Sequence, residues 1–152
     1  MGNVSVRSIR EGDVERIINI DLRVTGEEKA GFWRGMLGAY LLGKGDLRDA
    51  LAPSLCQVAE IDGRVVGFMV GDIQSYQFGI PRCGRIVTVG VDPDHRRQGI
   101  ASHLARAIFD EFRRFNAPKV QCLVAPEDPL SPFFRSIGFE PTPLLSLEKP
   151  LK

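Results

Sequence analysis

The chain has 152 residues, 43% hydrophobic and 26% charged, with 20 Lys and Arg against 19 Asp and Glu for a formal charge of +1. That balance predicts one ordinary folded domain over residues 1–152 and argues against disorder, nucleic-acid binding and a general attraction to anionic lipid. No stretch approaches the roughly 18 uninterrupted apolar residues of a membrane span, and Cys56, Cys83 and Cys122 show no CxxC spacing, so neither a disulfide framework nor a metal site is expected and a reducing cytoplasm fits best.

In chain order, Val4–Ile9 alternates apolar and polar residues as a half-buried strand does. Residues 11–22 then place Val14, Ile17, Ile18 and Leu22 at helical spacing, with Asp13 as the expected N-cap. A second helix is predicted over 31–43, where Phe32, Trp33, Met36, Leu37, Tyr40 and Leu41 form an apolar stripe. Two strand-like runs in 55–73 are joined by Asp62-Gly63, a dipeptide suited to the positive φ values of a tight hairpin turn.

After a loop over 75–83, residues 84–91 (GRIVTVGV) are β-branched on both faces, as in a strand covered on both sides. The turn Asp92–Gly99 leads into a helix in which Ile100, Leu104, Ile108 and Phe112 recur every four residues. A short strand over 119–124, a short helix over 131–139 ended by Gly138, and a last alternating segment over 144–149 complete a mixed α/β reading.

The turn carries the chemistry. The first amides of a helix lack intrahelical partners and sit at the positive end of its dipole, so this point suits an anion. Gly99 permits close approach, Ala101 and Ser102 are small, and Arg96 and Arg97 add full charges, a combination suited to a phosphate or pyrophosphate. Neither GxxxxGK[ST] nor GxGxxG is present, which argues against nucleoside triphosphate and dinucleotide folds. The actual spacing is Arg96-x-x-Gly99-x-Ala101.

That spacing, the surrounding residues 87–115 and the later segment Leu123–Pro141, in which Phe134 precedes Gly138-Phe139, resemble the GCN5-related N-acetyltransferase (GNAT) family. The resemblance implies an acyl-CoA N-acyltransferase fold, with a mixed, mostly antiparallel central sheet flanked by helices. It implies an acetyl-CoA-dependent enzyme that moves an acetyl group directly to a primary amine, either a protein N-terminus or lysine or a small molecule. The alternative is a CoA-binding regulatory module with weak or no catalysis.

On the same resemblance, Arg96, Arg97, Gln98, Gly99, Ile100, Ala101 and Ser102 would bind the CoA pyrophosphate. Val89, Gly90 and Val91 would pair with the pantetheine arm along a strand that splays at a bulge, which an isolated Gly90 also suits. The Val91 amide is the expected oxyanion donor, and Phe134 would border the pantetheine. Many members carry a tyrosine where this chain has Phe134 and a strand glutamate where it has Arg85, so Asp72 and Tyr76 become the candidates for proton transfer. There is no GxSxG elbow or Cys-His pair to suggest an acyl-enzyme. The apolar helix stripe and sheet edges are compatible with a homodimer.

Overall fold

Asp62 and Gly63 adopt φ values of 52° and 77°, the double left-handed step that lets a two-residue turn follow the strand twist, and so close the hairpin of β2 (Cys56–Ile61) and β3 (Arg64–Gln74). The structure, a computed structural model, describes residues 2–42, 52–75 and 77–152. The remaining described elements are β1 (Val4–Ser8), α1 (Val14–Thr25), α2 (Ala30–Leu42), β4 (Cys83–Val91), α3 (Ile100–Arg114), β5 (Val120–Cys122) and α4 (Leu130–Ser136). They fall into two compact units, Met1–Cys122 and Leu123–Lys152.

The first unit holds a five-stranded sheet in the order β1-β2-β3-β4-β5, antiparallel throughout except for the parallel β4–β5 pair. Two irregularities bend it. Opposite β2 the extra residue is Val66 of β3, and opposite β3 it is Val87 of β4, because Val70 faces Thr88 while Gly71 faces Ile86. The expected bulge at Gly90 therefore lies three residues earlier, where the β-branched Val87 leaves the ladder and stands 40% exposed.

Gly90 pairs regularly with Phe68, and its missing side chain has a packing reason: a Cβ there would stand 2.5 Å from the Phe68 ring. That ring packs edge-on against Trp33 of α2 at 5.3 Å. On the opposite face, Gly67 and Gly71 leave room for Ile100, Leu104, Ile108 and Phe112 of α3, all buried. Alternation along β3 thus assigns one face to α3 and the other to α2.

Three details differ from the sequence reading. Asp13 does not cap α1; it is buried and takes two hydrogen bonds from Arg7 (2.8 and 2.9 Å) and one from the Arg10 amide (2.7 Å). The buried face of α1 is Ile17, Ile20 and Asp21, with Leu22 exposed, because Asp21 accepts the Trp33 Nε1–H at 2.9 Å and so turns inward. Residues 144–149 form no strand: they have no ladder partner among the described residues, the Leu144 amide donates to Thr142 Oγ1 at 3.2 Å instead, and Leu145 and Leu147 are exposed.

Tyr40 links α2 to the sheet. Its buried hydroxyl donates to the Gly71 carbonyl at 2.6 Å, and burial, reinforced by the Asp72 charge, pushes its pKa well above the ordinary phenol value. Tyr40→Phe leaves a buried carbonyl without this donor and is expected to cost about 1–2 kcal/mol. The check is a urea titration, with a lower midpoint and an unchanged m-value.

Candidate active site

β4 is the spine of the site. β5 pairs only with Gly84, Arg85 and Ile86, so from Val87 to Val91 this edge of β4 has no strand beside it among the described residues. The parity of the opposite ladder fixes which groups face that open edge. The Asp92 amide donates to Val66 O at 2.8 Å, toward β3, and Gly67 faces Val91 in the register. Backbone groups alternate sides along a strand. The N–H and C=O of Val91, and of Val89 two residues back, therefore point away from β3 into the gap, whereas those of Gly90 point into the sheet.

At the C-terminal end of β4 the chain turns through Pro93–His95 into the N-terminus of α3. Arg97 and Gly99 both adopt left-handed backbone, with φ of 63° and 73°. Glycine takes that conformation freely, but at Arg97 it costs about 1 kcal/mol, a local strain that clusters at ligand sites. The amides of Ile100, Ala101 and Ser102 head α3 without a side-chain cap, and Arg96, Arg97 and Gly99 are exposed around them. Neither arginine has an ion-pair partner among the described residues. Gln98 is half-buried in the same turn, and Ile100 is buried against β3, which anchors the first turn.

Two histidines stand beside this cradle. His103 Nδ1 lies 2.7 Å from the Gly99 carbonyl, which also accepts the His103 amide. A carbonyl only accepts, so Nδ1 carries the proton. His95 instead turns Nδ1 toward Asp92, at 3.8 Å.

Asp92 is the group that sequence reasoning missed. It is 1% exposed, its carboxylate takes Arg16 Nη2, Arg23 Nη1 (2.7 Å) and the Asp94 amide (2.9 Å), and its carbonyl takes the His95 amide (2.8 Å). Burial pushes this carboxyl up, but the Asp94 amide, the hydrogen bond and charge of Arg16, and the charge of Arg23 together hold it below the ordinary carboxylate range. Its only sequence signal was Asx-Pro turn chemistry, since its partners lie on α1, 69 and 76 residues away.

The candidates for proton transfer are placed differently from one another. Asp72 and Arg85 face each other in register, and Arg85 Nε (3.1 Å) and Nη2 (2.7 Å) clasp the Asp72 carboxylate, which also accepts Gln74 Nε2 at 3.3 Å. The hydrogen bond to Asp72 raises the Arg85 pKa, outweighing burial, so this side chain is a permanent cation. Tyr76 lies outside the described residues. All three thiols are pushed up by burial, Cys56 to about 12, so none is a ready nucleophile at neutral pH.

Phe134 belongs to the second unit. It is buried there between the rings of Phe133 and Phe139, at centroid distances of 5.4 and 5.2 Å, and the Phe139 amide caps its carbonyl at 3.0 Å. Glu28 accepts the Ala30 amide at 2.7 Å at the start of α2, and Glu27 is exposed beside it. Among the described residues no cluster of His, Cys, Asp or Glu forms a metal site, and no helix is long and apolar enough to cross a membrane.

A mixed sheet with an open strand edge running into an anion cradle is the architecture of an acyl-CoA-dependent transferase. The acetyltransferase (GNAT) family profile matches residues 27–139, well over half the chain, and the protein belongs to that family. Among solved structures, the chain is similar to the aminoglycoside N-acetyltransferase AAC(6')-Iy in complex with CoA, at 16% identity and a TM-score of 0.79 over 100% of this chain and 97% of that one. It is similar to the aminoglycoside 6'-N-acetyltransferase AAC(6')-IG of Acinetobacter haemolyticus, at 19% identity and a TM-score of 0.76 over 97% and 99%. It is also similar to Naa20 of Chaetomium thermophilum bound to a bisubstrate analogue, at 24% identity and a TM-score of 0.68 over 88% and 70%. Identities this low speak for the shared fold alone.

Asp92→Asn removes the charge that faces Arg16 and Arg23 and is expected to cost about 2 kcal/mol. Because the native carboxyl titrates below its unfolded value of about 3.9, the difference between wild type and variant is complete above that pH. It is lost as pH falls through the lower native value. Thermal denaturation between pH 7 and pH 2 should show the two stability curves converging at the acid end.

Proposed function

We propose that residues 1–152 act as a single acetyltransferase domain that transfers an acetyl group directly from acetyl-CoA to a primary amine. The observation that carries this reading is the continuity of cradle and open edge. The amides of Arg97–Ser102, with the Arg96 and Arg97 side chains, take the pyrophosphate. The pantetheine arm then runs back along β4, hydrogen-bonding as a strand would to the outward groups of Val89 and Val91, with Gly90 keeping the spine flat against Phe68. From Val91 to Val87 the strand spans about 13 Å, a distance suited to an extended arm.

The thioester then lies toward the vertex where β4 and β5 meet. Of the two outward amides, Val91 is the nearer to the cradle and Val89 the nearer to the vertex, so Val89 is the better placed to donate to the oxyanion of the tetrahedral intermediate. The neutral amine attacks the thioester carbon, the C–S bond breaks, CoA leaves as a thiolate, and the nitrogen gives up a proton. Asp72, spent on Arg85, serves that side chain's orientation before any role as base, and a thiol pKa of about 8.5 makes an unassisted thiolate a tolerable leaving group. The raised thiol pKa values favour direct transfer over an acyl-enzyme.

Calorimetric titration with acetyl-CoA tests the reading, with an adenine dinucleotide as control. Saturable micromolar binding of acetyl-CoA alone is expected. Gly99→Glu, which adds bulk and negative charge at a left-handed position, should weaken it at least tenfold while the circular dichroism spectrum stays native. Unchanged affinity in the variant rejects the cradle. Binding without transfer to any amine would instead identify a CoA-binding module.

A further inference from the structure

The acetyl group arrives beside a cation. Arg85 is the residue of β4 two positions before the bulge, at the vertex itself, and Tyr40, Asp72 and Gln74 surround it on the face covered by α2. Its pair is lopsided. The Asp72 side chain is 12% exposed and has its oxygens occupied by Arg85 and Gln74, whereas the Arg85 side chain is 41% exposed. The guanidinium is the outer member, and no described residue takes its Nη1. An incoming molecule meets a fixed, half-exposed positive charge with donors to spare, not a carboxylate.

Apart from Asp72, two further carboxylates among the described residues stand at the other end of α2. Glu27 and Glu28 precede α2, whose Trp33 reaches Phe68 opposite Gly90, while Tyr40 at the far end reaches Gly71. Seven helical steps separate those two anchors, about 10 Å of axis. The glutamates therefore stand at the Gly90 end and Arg85 at the vertex end.

We infer that Arg85 selects the acceptor, and that the preferred substrate is an amine bearing a carboxylate close to its nucleophilic nitrogen, as in an amino acid or a peptide-like acid. The inference rests on the acetyltransferase reading above. Guanidinium matches carboxylate as a planar pair of donors, a charge-assisted contact about twice as strong as a neutral one. The same charge helps the chemistry. A carboxylate next to an ammonium stabilises the protonated, unreactive form; pairing it with Arg85 cancels that effect, and the guanidinium itself disfavours a second cation nearby. A polycationic acceptor meets the opposite: repulsion at the reacting centre.

The experiment compares leucine with leucinamide and phenylalanine with phenylalaninamide, pairs that differ in the carboxylate, alongside a diamine. Wild type should favour each acid over its amide in kcat/KM by about tenfold or more. Arg85→Gln should bring that ratio toward unity, and Arg85→Lys should retain part of it. Because Arg85→Gln strands the Asp72 charge, the double variant Arg85→Gln/Asp72→Asn is measured too, and the same loss of preference is expected. A purely structural role for Arg85 would lower both members of each pair alike and leave the ratio unchanged, which overturns the inference. So does a wild-type preference for the amides or the diamine, or failure to acetylate any acid while acetyl-CoA binds normally. Loss of acetyl-CoA binding by the wild type would instead overturn the acetyltransferase reading itself.

Discussion

The buried carboxylate of Asp92 is the constraint on which the site depends. It closes β4, begins the turn and receives two arginines from α1, so two segments far apart in sequence meet at one 1%-exposed side chain. Burying a charge is costly unless it is paired and hydrogen-bonded, and here an amide and two guanidinium groups supply that compensation. Because Arg16 and Arg23 are spent on Asp92 and Asp94, their charge is not free for an incoming anion. Arg96 and Arg97, exposed one step further on, are. The pairing thus fixes the turn into α3 and leaves Arg96 and Arg97 as cations without an ion-pair partner among the described residues.

A second consequence comes from strand parity. With the Asp92 amide committed to Val66, alternation leaves Val89 and Val91 facing the gap, and no side-chain chemistry is needed to present them. What keeps this edge straight is packing on the other axis. The Phe68 ring occupies the space a side chain at Gly90 would need, Trp33 covers Phe68, and Asp21 holds the indole of Trp33. A hydrogen bond between α1 and α2 therefore bears on the geometry of backbone amides in β4. The rigidity lies in regular elements, while the strained residue, Arg97, is confined to the turn.

Much of this was legible in the sequence, for identifiable reasons. The β2–β3 hairpin was readable because Asp62-Gly63 has one favoured geometry, and α3 because its apolar period continues for four turns. The start of α3 was readable because Gly99 suits the left-handed step that precedes it. The position of the bulge was not, since a register shift is a property of two strands: Gly90 carried the local signal, but packing against Phe68 explains it and Val87 took the extra place. The Asp92 cluster escaped because its partners are distant in sequence. The alternation of residues 144–149 misled because alternation describes side-chain faces and says nothing of whether an edge is there to take the amides.

The Asp72–Arg85 pair places a compensated charge pair across two neighbouring strands. On neighbouring strands, directly opposite, the two side chains satisfy one another, and the sheet accommodates the charge of Arg85 through its partner. The reacting region is not so indifferent. With Arg85 permanently charged, Tyr40 pushed up by burial and bound to Gly71, and the thiols raised by burial, none of these groups changes protonation near neutral pH to take the proton the amine must lose. For the proposed transfer, a route that asks nothing of these groups is to bring the amine in as a neutral nucleophile and release the proton to solvent. A fixed cation at the vertex favours that state of the nitrogen on electrostatic grounds alone. On the proposed function, Arg85 would thus offer another means of obtaining the free amine.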